Sequence, residues 1–202
     1  MNILLLNGLP EEYEGIAIST DFRNMIQVDM ILHDPELNEV EKVMAALHQL
    51  YPQIPQDIPK AIKGLEWFFA RGREGGGKKE NGGSKKAFDF EQDASLIYAA
   101  FYAAYGISLT TVDYLHWWEF MALFDGLPED APLKRIIYWR TADTSGMSKE
   151  ERKHVLKMRK LFALKESNGA ALSVEEINRQ TKERVARRFE AAQRALEGTD
   201  TR

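Results

Sequence analysis

The stretch Asp113-Tyr-Leu-His-Trp-Trp-Glu-Phe-Met-Ala-Leu-Phe124 is the densest aromatic segment of this chain of 202 residues. Eleven of the twenty-one aromatic side chains lie between positions 88 and 124. We predict a helix that starts at positions 110–111, in which the polar residues Asp113, His116 and Glu119 recur at every third position. Such a narrow polar stripe leaves the rest of the helix apolar. Most of its surface must therefore be covered, either by the remainder of the chain or by a partner.

Two pairs of adjacent aromatic residues, Trp117–Trp118 and Phe68–Phe69, admit two interpretations. Neighbouring residues of a helix point about 100° apart, so both members of a pair are buried only if the helix is covered on two sides. Burial of both in the core is the first interpretation. In the second, one member contacts a partner or another copy of the chain, because large aromatic side chains contribute much of the energy of interfaces. Trp117, Trp118, Phe68 and Phe69 are therefore the candidate partner-binding residues.

The composition is typical of a soluble globular protein, with 44% hydrophobic and 29% charged residues. The chain contains no cysteine, which excludes disulfides, zinc–thiolate sites and thiol catalysis and fits a reducing cytoplasm. We expect no membrane span, since no run approaches the roughly 18 apolar residues that a span needs. We also expect no signal peptide, since the apolar start Met1–Asn7 is short and lacks a basic flank.

The apolar pattern predicts a mainly α fold, with one compact multi-helix domain over residues 1–165 that begins with a short β-hairpin. The hairpin is expected to pair Ile3–Leu6 with Gly15–Ser19. Residues 72–87 are rich in glycine and lysine and have no large apolar side chain, which predicts a mobile loop inside the domain. Residues 166–202 are predicted to form a linker and a peripheral, charged C-terminal helix.

Local signals mark several helix boundaries. Asp21 is a good N-cap for the first helix, and Pro132 is well placed in the first turn of another. Ser148 and Ser173 are each followed three residues later by glutamate, which predicts two capping boxes that open helices ending near residues 164 and 197. Gly106 is predicted to end the helix before the aromatic stretch.

Two of the predicted helices have unusual surfaces. The helix that ends at Gly106 carries small side chains that keep it thin for close approach by another element, namely Ala99, Ala100, Ala103 and Ala104. The C-terminal helix carries a sparse apolar stripe, interrupted by Thr181, that consists of Val174, Ile177, Val185, Phe189, Ala192 and Leu196. This stripe does not follow heptads, so a long coiled coil is not expected.

No arrangement of residues predicts catalysis or a cofactor. Asp113-x-x-His116-x-x-Glu119 is the best metal-like pattern, but a carboxylate three residues from a histidine is common helix-surface pairing. The sequence Gly72-x4-Gly77-Lys78 lacks the serine or threonine of a phosphate-binding loop, since Lys79 follows. We therefore expect a protein that is not an enzyme and has no metal or cofactor.

Charge is divided unevenly along the chain. Residues 1–147 carry a net charge of −9 and residues 148–202 a net charge of +5. The basic C-terminal part is most simply a solvated helical surface. The alternative is a nucleic-acid-binding surface that includes Arg184, Arg187 and Arg188, which is not favoured because only Phe162 and Phe189 could stack on bases there.

Several short motifs, in this order and spacing, resemble the "gene product fifteen" family of tailed phages and prophages of Gram-positive bacteria. The resemblance spans about residues 9–165, and the block with His116-Trp-Trp118 is its most specific part. Ser108 stands where the family is expected to have an acidic residue, and the helix after residue 173 has no counterpart. The motifs are Thr20-Asp-Phe-Arg23, Trp67-Phe-Phe69, Phe88-Asp-Phe-Glu-x-Asp93, Ile97-Tyr-Ala-Ala-Phe101, Tyr105-Gly-Ile-x-Leu109, Leu115-His-Trp-Trp-x-Phe120, Leu123-Phe-x-Gly-Leu127 and Ile136-Ile-x-x-Arg140.

The resemblance implies a non-enzymatic, α-helical protein of phage tail assembly, with no catalytic residues to carry over. Genes of that family lie just before the tape-measure gene, where tail assembly chaperones are encoded. The implied partners are the tape measure protein and/or the tail tube protein, and the implied location is the cytoplasm of the bacterial host. The alternative to a chaperone is a permanent structural component of the virion, such as a tail or connector subunit, and the second alternative is the nucleic-acid-binding protein considered above. A homo-oligomer is compatible with each of these roles.

Overall fold

The computed structural model describes residues 8–73 and 86–165, and within these ranges the chain forms seven α-helices and one two-stranded antiparallel hairpin. The strands are β1 (Glu12–Tyr13) and β2 (Ile16–Ala17). The helices are α1 (Phe22–Leu32), α2 (Glu39–Leu50), α3 (Ile58–Phe69), α4 (Ala94–Tyr105), α5 (Trp117–Asp125), α6 (Pro132–Thr141) and α7 (Lys149–Leu161). The predicted fold class, a mainly α domain with a short N-terminal hairpin, is confirmed.

The hairpin is built differently from the one predicted. β2 pairs with β1, with Tyr13 opposite Ile16, whereas Ile3–Leu6 lies outside the described residues. Glu14 and Gly15 connect the strands, and both have a positive φ, 48° and 78°. This is the turn geometry that suits the twist of a two-residue hairpin. The Glu14-Gly15 pair was therefore the sequence signal for the turn, which follows β1 directly.

Side-chain caps start several of the helices, as the sequence predicts. Asp21 Oδ1 accepts a hydrogen bond from the Arg23 amide at 2.9 Å at the start of α1. Ser148 and Glu151 form the predicted capping box of α7, in which each side chain accepts from the backbone amide of the other residue. Pro132 lies in the first turn of α6. The second predicted box, at Ser173, lies outside the described residues, as does most of the predicted loop at residues 72–87.

The predicted start of the aromatic helix is wrong. α5 begins at Trp117, not at residues 110–111, because His116 occupies the N-cap position with extended backbone angles. Asp113 therefore lies outside the helix, and it forms no helical stripe with His116 and Glu119. The three polar residues therefore have different positions: Asp113 is in the preceding loop, His116 is the N-cap, and Glu119 is in the first turn of α5.

Aromatic stacking joins the helices into one core. Phe120 of α5 stacks on Phe22 of α1 and on Phe101 of α4, with ring centroids 4.8 and 4.9 Å apart. α1 and α2 pack as a helical hairpin, α3 packs on α2, and α6 packs on α4 and α7. Buried aromatic rings of α1, α3, α4 and α5 thus belong to one continuous core.

The starts of α1 and α5 are joined directly by a short antiparallel bridge, Asp21 to His116. The Phe22 amide donates to the Leu115 carbonyl at 2.9 Å, and the Trp117 amide donates to the Thr20 carbonyl at 2.8 Å. These bonds use backbone amides that have no partner within their own helices. The bridge thus places the N-terminal ends of the two helices side by side.

Candidate functional site

The structure places three of the four candidate partner-binding residues in the core. Trp117, Trp118 and Phe68 are 2%, 3% and 0% exposed, and Phe69 is partly buried against the same core. The first interpretation, burial of the tryptophan pair, is therefore the observed one. In the folded domain Trp117, Trp118 and Phe68 are covered by neighbouring helices, and of the four residues Phe69 alone keeps part of its surface accessible.

The two tryptophans hold the end of α3. Trp118 Nε1 donates to the Phe68 carbonyl at 2.9 Å, and Trp117 Nε1 donates to the Phe69 carbonyl at 3.4 Å. The last carbonyls of a helix have no partner within it, and the indole N–H groups supply donors to two of them. The Phe68 carbonyl also accepts from the Arg71 amide at 3.1 Å. The Trp117–Trp118 and Phe68–Phe69 pairs are thus two halves of one structural contact.

His116 fixes the start of α5 as a neutral imidazole. Its Nδ1 accepts a hydrogen bond from the Trp118 amide at 3.0 Å, so the proton is on Nε2, which donates to the Pro10 carbonyl at 3.1 Å. Burial lowers the pKa of His116 below its ordinary value, although the Pro10 hydrogen bond acts in the opposite direction. Both ring nitrogens are occupied, which leaves neither for a metal ion.

Acidification is expected to weaken the domain through His116. Because the folded pKa is lowered, the unfolded chain binds this proton more readily, so the stabilisation is complete above the ordinary value of 6.5 and is lost as the pH falls below it. The measurement is the free energy of unfolding by urea between about pH 5 and pH 7.5. His116→Asn keeps a capping acceptor but does not titrate, so its profile should be flatter. Equal slopes for the two proteins would contradict this role.

A buried ion pair joins two of the motifs singled out in the sequence. Arg140 of α6 donates to both carboxylate oxygens of Asp93, at 2.6 and 3.0 Å, and the two side chains are 8% and 4% exposed. The guanidinium also donates to the carbonyls of Ala87 and Phe162. One side chain thus ties together the segment before α4, the end of α6 and the end of α7. The sequence marked both residues but gave no reason to pair them.

The last described residues are held at the beginning of α4. The Gln92 side chain accepts from the Lys165 amide at 2.8 Å and donates to the Lys165 carbonyl at 3.1 Å. Gln92 precedes Asp93, the N-cap of α4. The chain therefore leaves the domain next to the N-terminal end of that helix.

α4 has an apolar surface that the described residues leave open. Its twelve residues include no charged side chain, and Tyr102 is 58% exposed and stacks on Tyr98. Beside it lies a groove of about 380 Å³, which we call the alanine groove. It is lined by Leu96, Ala99, Ala100, Ala103, Ala104, Pro128, Asp130, Ala131 and Pro132.

The alanine groove is the candidate functional site because a helix that is apolar all round is normally buried on every side. α4 is buried on the side of Ile97 and Phe101, whereas Ala99 and Ala103 are exposed. Small side chains on an open helix face let a second helix approach closely. The sequence predicted this thinness, but it could not show which face the other helices would leave uncovered.

A second depression has a more polar lining than the alanine groove. It lies between α6 and α7 and includes Tyr138, Trp139, Glu150 and His154. α7 exposes a row of basic residues and buries only Val155. Arg184, Arg187 and Arg188, named for the nucleic-acid alternative, lie outside the described residues. Within the described ranges no group of three or more His, Asp or Glu side chains is arranged to hold a metal ion, and no helix there is long and apolar enough to cross a membrane.

The fold and the described surface define a class: a helical domain with a buried aromatic core and an open apolar groove along one helix. A family model described as Bacteriophage Gp15 protein matches residues 6–164. The chain belongs to this bacteriophage family, which confirms the resemblance seen in the sequence. No curated protein and no solved structure was found to match the chain.

Proposed function

We propose that this phage protein is a non-enzymatic tail assembly chaperone that acts in the cytoplasm of the bacterial host. Its partner is the tape measure protein, a long helical chain with apolar stripes, before tail tube subunits enclose it. Membership of the phage family supports a role in phage biology. The alanine groove supports the choice of a helical, apolar partner.

The alanine groove is the main observation that supports this proposal, because its surface can bind apolar side chains but has few groups that recognise a particular sequence. Apart from Asp130 at one edge, its lining offers only apolar side chains and proline rings. Such a surface gains free energy from apolar burial but has few polar groups that would demand one partner sequence. It therefore suits a chaperone that covers many similar stripes along one chain.

The size of the groove also favours release of the bound tape measure protein. An open groove of this size contacts only a few side chains of a partner helix, so each contact is modest after the cost of association. Many copies on one long chain would hold it collectively, while tube subunits could displace them one at a time. The proposed sequence of events is coating of the tape measure followed by exchange for the tail tube.

Co-purification tests the proposal. Tagged protein co-expressed with the tape measure protein should retain it, and Ala103→Glu should reduce retention by about tenfold or more, because a buried carboxylate would lie in the contact. Ala103 is exposed in the free domain, so the variant should keep its thermal unfolding midpoint. Ala122→Glu, the same change at an exposed position of α5, is the matched control and should retain the tape measure.

Two results would overturn the proposal. The first is no retention of the tape measure by the unsubstituted protein when both are expressed. The second is the finding of this chain in purified phage particles at the level of a tail subunit, which would favour a permanent structural component. Equal retention by the Ala103→Glu and Ala122→Glu variants would remove the alanine groove as the binding surface but leave the chaperone role standing.

A further inference from the structure

We propose that the C-terminal segment of this chain, residues 173–197, is the resting occupant of the alanine groove. The docking is a property of the protein alone. Only its consequence, that a tape measure helix must displace the segment, rests on the proposed function. The inference comes from where the chain leaves the domain, how far the segment can reach, and which side chains it would bring.

The chain leaves the domain at one end of the groove helix. Gln92 holds both the amide and the carbonyl of Lys165, and Arg140 holds the Phe162 carbonyl at 2.7 Å. These bonds fix the exit point beside Asp93, where α4 starts. The exit point therefore lies at the N-terminal end of α4, the helix whose uncovered face lines the groove.

The linker is long enough to reach the groove and short enough to favour it. Residues 166–172 span at most about 24 Å when extended. α4 has twelve residues and is about 18 Å long. Residue 173 can thus lie anywhere along α4, and the tether keeps the segment at a high effective concentration near it.

The apolar stripe of the segment matches the groove in spacing and size. Val174, Ile177 and Val185, with the interrupting Thr181 between them, follow one another at intervals of three or four residues, so a helix would place all four on one face. They are β-branched side chains of medium size. Such side chains fill the space above alanines, whereas two rows of large aromatic rings would hold the helices apart.

Charge favours one direction for the segment. Arg140 near the end of α6 pairs with Asp93 at the start of α4, so the two helices run in opposite directions and Pro132 lies toward the far end of α4. Asp130 lines that end of the groove. A helix that starts near Gln92 at residue 173 would rise about 17 Å by residue 184. It would bring Arg184 and Arg188, which flank Val185 on one side of the helix, close to the Asp130 carboxylate, which is an attractive arrangement.

Disulfide trapping in the full chain tests this docking, because the natural sequence contains no cysteine. Ala99→Cys is combined in turn with a cysteine on the stripe, Ile177→Cys or Thr181→Cys, and with one off the stripe, Glu176→Cys or Gln180→Cys. After mild oxidation with diamide, non-reducing electrophoresis and mass spectrometry measure the rate of the intrachain disulfide. The stripe positions should react about tenfold faster than the off-stripe positions.

Two controls make the outcome specific. Ala122→Cys replaces Ala99→Cys as an exposed cysteine on α5, and no stripe position should then have an advantage. Addition of Ala103→Glu to the Ala99→Cys pairs should abolish the difference between stripe and off-stripe positions. The domain should remain folded in every variant, as circular dichroism would report.

The proposal fails if all four segment positions react with Ala99→Cys at the same rate, since a freely moving tail has no preferred face. It also fails if the product is a disulfide-linked dimer at low protein concentration, which would make a second copy the occupant. The experiment contains no tape measure protein, so its result is independent of the chaperone test. A negative co-purification result combined with stripe-specific trapping would leave this inference intact.

Discussion

Replacement of Arg140 with alanine should destabilise the domain by about 3–5 kcal/mol, the usual cost of removing one partner of a buried ion pair. The substitution leaves the Asp93 carboxylate, 4% exposed, without its counter-charge, and it leaves the carbonyls of Ala87 and Phe162 without their donor. Three segments lose their common attachment. Urea unfolding followed by circular dichroism at pH 7 measures the change in the free energy of unfolding.

A surface ion pair provides the matched control for this prediction. Asp125 pairs with Arg71, but its side chain is 53% exposed, so Asp125→Ala should cost no more than about 1 kcal/mol. In the double variant Asp93→Ala with Arg140→Ala no charge is left unpaired, and its cost should be well below the sum of the two single costs. Additive costs, or an Arg140→Ala effect as small as that of Asp125→Ala, would show that the buried pair does not hold the domain together.

Replacement of Trp118 with alanine is expected to cost about 3–5 kcal/mol as well, by a different mechanism. The side chain is 3% exposed and contacts Trp67 and Phe68, with ring centroids 5.4 and 6.0 Å apart. Its loss opens a large cavity and removes the indole donor from the Phe68 carbonyl, which keeps the Arg71 amide. Thermal or urea unfolding would report the loss as a lower midpoint.

Trp118→Phe separates the two contributions. It keeps an aromatic ring but removes the indole N–H. The Phe68 carbonyl still accepts from the Arg71 amide at 3.1 Å, so loss of the indole hydrogen bond should cost about 0.5–1.5 kcal/mol. Tyr138→Ala, which truncates an aromatic residue that is 52% exposed, should change stability by less than about 1 kcal/mol. If Trp118→Ala were as mild as Tyr138→Ala, the tryptophan would not be part of the structural contact described here.

The parts of the fold that depend on neighbouring residues were predictable from the sequence. Asp21, Ser148 and Pro132 mark helix starts through bonds or ring geometry within one turn, so no knowledge of distant segments is needed. The density of aromatic residues likewise predicted that the region around Trp117 is covered. These signals are local, or they follow from composition alone.

The parts that depend on distant contacts were not predictable. His116 caps α5 because Pro10 and Asp21 lie beside it, and nothing within residues 110–119 shows this. The partner of the tryptophan pair is the end of α3, some fifty positions earlier in the chain. The alanine groove is also a result of tertiary packing, because the placement of α5 and α6 against α4 decides which side of that helix stays open.

The bridge between the beginnings of α1 and α5 has a consequence for synthesis of the chain on the ribosome. Thr20 Oγ1 lies 2.7 Å from Tyr114 Oη, although the two residues are 94 positions apart. The first helix therefore emerges into solvent long before the residues that complete its N-terminal turn have been translated. α2 can pack on α1 early, but the part of α1 around Phe22 that packs on α5 stays uncovered until the aromatic stretch has been translated. This protein is proposed to shield the apolar stripes of another chain. During its own synthesis, part of its apolar surface is exposed in the same way.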